Sequence, residues 1–97
     1  MAVKVIAEFN CASGNADKFI EICRNALPET RQFDGCSQID ISTDQDDPNR
    51  IILTENWDSK EHHLKFLEYL TNDGTLETLG ALLSAPPKIS YADLLDA

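Results

Sequence analysis

Hydrophobic positions along the chain follow two alternating periods, and the order of those periods sets the architecture. Over Val3–Asn10 the period is two: Val3, Val5, Ala7 and Phe9 form an apolar face, and Lys4, Ile6, Glu8 and Asn10 a mixed one. This predicts a strand, closed by the turn-forming residues 12–15. The period then lengthens, with Ala16, Phe19, Ile20, Cys23, Ala26 and Leu27 at helical spacing. Asn15 or Ser13 is placed to cap this helix, and Asp17 lies in its first turn, where the helix dipole favours an acid. Pro28 should weaken the helix, with Glu29-Thr30-Arg31 able to continue it irregularly. Residues 33–36 read as a turn in which Gly35 is free to take positive φ.

Cys36–Thr43 alternates again, with Ile39 and Ile41 opposed to Gln38, Asp40 and Ser42. Residues 44–49 are a dense turn signal, and Arg50–Trp57 returns as the partner strand. That strand sets Ile51, Leu53, Glu55 and the only Trp, Trp57, on one face. The acidic tip at 44–49 lacks the alternating ligands, glycine and terminal Glu of a calcium loop, so it reads as solvated. Asp58 or Ser59 starts a second helix; Asp58 with Glu61 has capping-box spacing. Leu64, Leu67 and Leu70, with Phe66, supply its apolar side. Leu76, Leu79, Leu82 and Leu83 suggest a short third helix, stopped by Pro86 and Pro87. Residues 88–95 form a last strand with Ile89, Tyr91 and Leu95 on one face.

The order β-α-β-β-α-(α)-β is the ferredoxin-like split βαβ pattern of an α+β fold: a four-stranded antiparallel sheet with its helices on one face. Residues 1–97 read as a single domain. The first and third strands carry apolar residues on both faces, Ile6 and Ile52 among them, whereas a sheet with one solvated face alternates more cleanly. The expectation is a homodimer through the uncovered sheet face.

Composition narrows the partners. Seventeen acidic against eight basic residues give a net charge of −9. That balance disfavours nucleic-acid phosphates and anionic membrane surfaces alike. The chain shows neither a run of about 18 apolar residues nor a secretory signal, so a cytoplasmic location is expected. Cys11, Cys23 and Cys36 are an odd set without C-x-x-C spacing, most simply reduced thiols. His62 and His63 are adjacent and point about 100° apart on a helix. Without H-x-x-x-H or H-E-x-x-H spacing they offer no metal site. His63 lies nearer the apolar side set by Leu67 and Leu70.

Val5-Ile6-Ala7-Glu8-Phe9, Phe33-Asp34-Gly35-Cys36, Asp47-Pro48 and Leu53-Thr54-Glu55-Asn56-Trp57-Asp58-Ser59-Lys60-Glu61, with Phe19 and Leu27, together resemble the antibiotic biosynthesis monooxygenase domain family. The resemblance covers essentially the whole chain. It implies a dimeric α/β barrel, two sheets packed face to face, with a small-molecule pocket between each sheet and its helices. Several members of that family oxygenate phenols or quinols without metal or flavin, so the implied cofactor is none. Many carry a His about nine residues after the Trp, where this chain has Phe66. The haem-degrading branch has a second Trp at that place and a His where Leu76 stands; both departures weigh against haem degradation.

The expected function is a cofactor-independent monooxygenase acting on a small aromatic or quinol-like substrate. The alternatives are a non-catalytic small-molecule-binding domain and an isomerase-type relative acting on a small keto compound. The candidate catalytic residues are His63, as base or hydrogen-bonding group with a near-neutral pKa, and Trp57, as a pocket wall that stacks on an aromatic ring. The candidate substrate-binding residues are Asn10, Arg31, Phe66 and Tyr91. Each also has a plain role: strand terminator, surface cation, core aromatic and interface aromatic. Glu8 and Glu55 lie in strands expected to be adjacent, and buried together one of them would have a raised pKa.

Overall fold

The computed structural model describes residues 2–95. Its elements are β1 (Val3–Asn10), α1 (Ala16–Thr30), β2 (Cys36–Thr43), β3 (Arg50–Trp57), α2 (Lys60–Asn72), α3 (Thr75–Gly80) and β4 (Lys88–Asp93). The four strands form one antiparallel sheet in the order β2-β3-β1-β4. The α+β ferredoxin-like pattern read from the sequence is the observed one.

One local alternative is decided and three local readings differ. α1 continues through Pro28 to Thr30. The Thr30 hydroxyl donates to the Ala26 carbonyl at 2.9 Å and the Arg31 N–H to Leu27 at 2.9 Å, which keeps the last turn closed after the proline removes one donor. Asn15 is the N-cap residue but makes no capping bond; its amide instead donates to the Leu82 carbonyl at 3.3 Å. For α2 the cap is Ser59, whose Oγ accepts from the His62 N–H, so the capping-box reading of Asp58 falls. β4 stops at Asp93, and Leu95 stands past it, 91% exposed, off the strand face assigned to it.

Register decides which side chains share a face. Val5 pairs with Glu55 and Glu8 with Ile52 across β1 and β3. Glu55 therefore lies on the helix-covered face and Glu8 on the open one, and the two carboxylates do not meet. The Gly35 turn is needed at the point where β2 begins. Gly35 has φ +90°, and a Cβ there would stand 2.5 Å from the His62 side chain. Its carbonyl accepts from the Asp58 N–H at 2.8 Å, tying this turn to the end of β3.

The covered face packs in two groups. Val3, Val5, Trp57 and Phe66 are buried together near the start of α2, with Phe33 edge-on to Trp57 and Phe66. Cys11, Phe19, Cys23, Ile51 and Leu79 are buried toward the other end of the sheet, beneath α1 and α3. The segment after α3 is pinned there by Leu82 accepting from Ala12 N–H and by Ser84 donating to the Asn10 carbonyl. On the open face Ile6, Ile52 and Thr54 are half-buried, beside an Arg50 side chain that pairs with both Glu8 and Asp44. Among the described residues no helix is long and apolar enough to cross a membrane.

Candidate functional site

The two packed groups leave a cavity of about 270 Å³ between the sheet and the helices. Its volume is just below the usual range for ligand pockets, roughly 300–1,000 Å³. Ala7, Phe9, Leu53 and Ile39 form its floor from the sheet, and Cys23, Leu27, Phe66, Leu70 and Leu79 close it from the helices. Toward solvent it is bounded by Gly80 and Pro87, both exposed, and by Ile89. Among the described residues no Lys or Arg lines it, and Glu55 is its only acid.

The two ionisable side chains of opposite kind in the lining, Glu55 and His63, meet at one place. β3 alternates Ile51, Leu53, Glu55 and Trp57 inward, which puts a carboxyl on an otherwise apolar face. α2 begins immediately afterwards on the Ser59 cap, so its first turn carries His63 over that carboxyl. Glu55 is 4% exposed and His63 2% exposed. The Trp57 indole N–H donates to Glu55 Oε1 at 2.8 Å. His63 Nδ1 is 2.8 Å from the Tyr91 hydroxyl, supplied by β4. His63 Nε2 is 3.6 Å from Glu55 Oε1, too long for a hydrogen bond. Among the described residues, Glu55 Oε2 and His63 Nε2 make no hydrogen bond. No enclosed side-chain polar atom lacks a partner there, so these two atoms border the cavity space rather than packed protein.

Burial controls the charges. It pushes the Glu55 carboxyl above the usual carboxylate range, with the Trp57 N–H pulling part of the way back. It pushes the His63 imidazole down to about 4. An ion pair would shift both in the opposite sense, so the pair is held toward its neutral forms. The Tyr91 phenol is raised, first by burial and then by Glu55. The Cys23 thiol in the cavity wall is pushed up to about 12, by burial first and then by Cys11 and Glu55, which leaves it unreactive as a nucleophile.

The structure brings four of the six expected residues to this place and leaves two away. His63 and Phe66 line the cavity. Trp57 is fully buried behind the wall, at 5.5 Å from the His63 ring, and reaches the cavity only through Glu55. Tyr91 stands behind His63 with Lys60 Nζ 4.7 Å above its ring. Asn10 is exposed, and its carbonyl anchors Ser84. Arg31 is exposed and donates to the Ile39 carbonyl at 3.4 Å, outside the cavity. His62 is tied to Ser59 on the outer side of the helix. Glu55 was the residue to add: an acid at an inward position of an apolar strand face is the signal for it. Among the described residues no three His, Cys, Asp or Glu side chains converge to hold a metal ion, and the three cysteines are unpaired.

A family model described as antibiotic biosynthesis monooxygenase matches residues 2–69. Among solved structures, the fold is similar to that of a candidate antibiotic biosynthesis monooxygenase from Nitrosomonas europaea, with a TM-score of 0.88 at 21% identity over 98% of this chain and 91% of that one. A second candidate monooxygenase, from Deinococcus radiodurans, gives 0.85 at 22% identity over 98% and 94% of the two chains. A protein from Mycobacterium tuberculosis gives 0.81 at 23% identity over 100% and 98%. At these identities the likeness is one of fold. No curated protein sequence matches the chain significantly. The matched stretch holds Glu55, Trp57 and His63; Tyr91 and the α3 wall lie beyond it.

Proposed function

The chain belongs to the antibiotic biosynthesis monooxygenase family, and on that premise we propose that it is a cofactor-independent monooxygenase for a small aromatic or quinol-like substrate. The cavity between sheet and helices is the substrate site in this reading. The observation that carries it is His63 Nε2, unpartnered and bordering an apolar cavity. With Nδ1–H donating to the Tyr91 oxygen, Nε2 is free to accept the hydroxyl proton of a phenol or quinol. Burial keeps the imidazole neutral, so the acceptor is available at neutral pH.

Loss of that proton makes the ring electron-rich enough to give one electron to dioxygen, which closed-shell molecules otherwise resist. The ring carbon para to that hydroxyl loses its hydrogen and becomes a carbonyl with one oxygen atom from O₂, the hydroxyl carbon becomes the second carbonyl, the other oxygen atom leaves as water, and the substrate supplies all four electrons. The apolar walls keep bulk water from the intermediate. Phe66 and the aliphatic walls hold the ring, and Trp57 fixes Glu55 beside it. Asn10 and Arg31 have no part in this arrangement.

The test is oxygen uptake by metal-free protein offered a panel of quinols and hydroxyanthracenes. The expected outcome is uptake that falls about 100-fold or more in His63→Ala. Saturating binding with no uptake above background favours the second reading, a small-molecule-binding domain without turnover. Phe66 supports that second reading, since it sets an aromatic ring in the cavity where many members of the family have a histidine.

The open sheet face, with Ile6 and Ile52 in its middle, supports a homodimer formed across it. Sedimentation at micromolar concentration should give twice the chain mass, and a stable monomer would remove the dimer. The unpaired cysteines fit a reducing, cytoplasmic compartment.

A further inference from the structure

Two polar atoms of buried side chains border the cavity without a hydrogen-bond partner among the described residues, and they differ in kind. Glu55 has one oxygen fixed by the Trp57 N–H at 2.8 Å and the other unpartnered. His63 has Nδ1 engaged by Tyr91 at 2.8 Å and Nε2 unpartnered. Both residues are more than nine-tenths buried, and their free atoms face the cavity space, where water or a ligand supplies the partner. The titratable groups nearest Glu55 are His63 from α2, Tyr91 from β4, Cys36 from β2 and Cys23 from α1. None of them is a fixed cation, and among the described residues no Lys or Arg lines the cavity.

We propose that Glu55 is the specificity-determining residue of the cavity: its carboxyl donates from Oε2 to the oxygen of a single uncharged hydroxyl on the ligand, whose own hydrogen goes to His63 Nε2. A hydroxyl is the smallest group that both accepts from an acid and donates to an imidazole. A carboxylate or phosphate brings negative charge to a carboxyl in an apolar box with no cation to receive it, and is rejected. A plain hydrocarbon fills the walls but leaves both atoms unsatisfied. The selected ligand is therefore a neutral, compact ring system with one hydroxyl at the Glu55 end and no anionic substituent.

This rests on the cavity being the ligand site of the proposed function, but not on turnover. Binding is measured by calorimetry with three probes of one shape: 2-naphthol, naphthalene and 2-naphthoate. The expected result is that 2-naphthol binds about tenfold or more tighter than naphthalene and that 2-naphthoate binds weaker than either. Glu55→Gln keeps an N–H donor at Oε2 and should retain the naphthol preference. Glu55→Leu should bind naphthol and naphthalene equally. Where Glu55→Leu does not fold, the wild-type ranking and the Glu55→Gln result decide. Equal or tighter binding of 2-naphthoate, a naphthol preference that survives in Glu55→Leu, loss of that preference in folded Glu55→Gln, or no binding of any probe overturns the assignment. Oxygen uptake with no naphthol preference leaves the monooxygenase reading standing and removes Glu55. The preference without uptake does the reverse.

Discussion

Glu8 and Glu55 are the same residue on neighbouring strands, yet the sheet treats them in opposite ways. Glu8 lies on the open face, part-exposed, and Arg50 pairs with it. Glu55 lies on the covered face, 4% exposed, with only an indole N–H as donor. One residue's difference in strand phase separates them, since successive side chains on a strand point to opposite faces. On the open face charge is met by charge and by water. On the covered face no Lys or Arg among the described residues lines the cavity beside it, and burial moves the carboxyl toward its neutral form. A polar group that the fold leaves unpaired at such a place marks the end of the cavity where a ligand's polar group belongs.

The contrast predicts unequal responses along a single strand. Trp57→Ala removes a fully buried ring that packs on Phe33, Phe66 and His63 and also holds Glu55. It should cost about 3–5 kcal/mol in urea unfolding. Asn56→Ala, one residue away on the open face, should cost far less. Comparable losses would mean that the two faces are equally packed in solution.

Next in size is the acid limb of stability. The unfolded chain takes up a proton on His63 near 6.5, whereas the folded chain does so only near 4. Stability attached to this residue is complete above pH 6.5 and is lost as pH falls toward 4, by about 3 kcal/mol. A His63→Leu variant should lose that part of the pH dependence, read as the difference between the two unfolding curves. Glu55 acts with the other sign and a smaller effect, because the Trp57 N–H offsets part of its burial. Its folded pKa lies above the unfolded 4.5, so its contribution weakens the fold as pH rises from 4.5 through the folded value. Glu55→Gln should flatten that decline and leave the protein relatively more stable at neutral pH. A variant with the wild-type slope would show that Glu55 titrates alike in the folded and unfolded chains.

The strands and helices were legible because their periods are clean. Val3, Val5, Ala7 and Phe9 against Lys4, Glu8 and Asn10 already contain the face on which Glu8 lies. The same alternation puts Glu55 with Ile51, Leu53 and Trp57. Read together, those two phases separate the carboxylates without any structure; pairing them overlooked register in favour of strand adjacency. His63 was legible for a similar reason, from its spacing to Leu67 and Leu70. Tyr91 as the partner of His63 was not, because the contact spans 28 positions and depends on β4 lying beside β1. Asn10 and Arg31 illustrate a further limit. Polar residues at element ends resemble binding groups in a sequence, but here their backbone and side chains serve Ser84 and Ile39. The Gly35 turn shows the opposite case: a short motif whose physical need is local, an open backbone angle and no room for a Cβ beside His62.

The smallest effect belongs to the open face. Glu8→Gln removes one of two acidic partners of Arg50, and Asp44 keeps the other at 2.8 Å. In a single chain the pair is solvated, and such pairs contribute little and are screened by salt. The unfolding midpoint of dilute protein should therefore hardly move, and what shift there is should vanish in about 0.5 M salt. Across a dimer the same pair is taken out of water, where removing one partner leaves the other poorly compensated. The substitution should then weaken association more than it weakens the fold, visible in sedimentation as a larger monomer fraction at equal concentration. A Glu8→Gln protein with an unchanged monomer–dimer balance would place this ion pair outside the subunit contact. A large salt-independent loss of stability in the dilute protein would make the open face as demanding as the covered one and erase the difference between the two carboxylates.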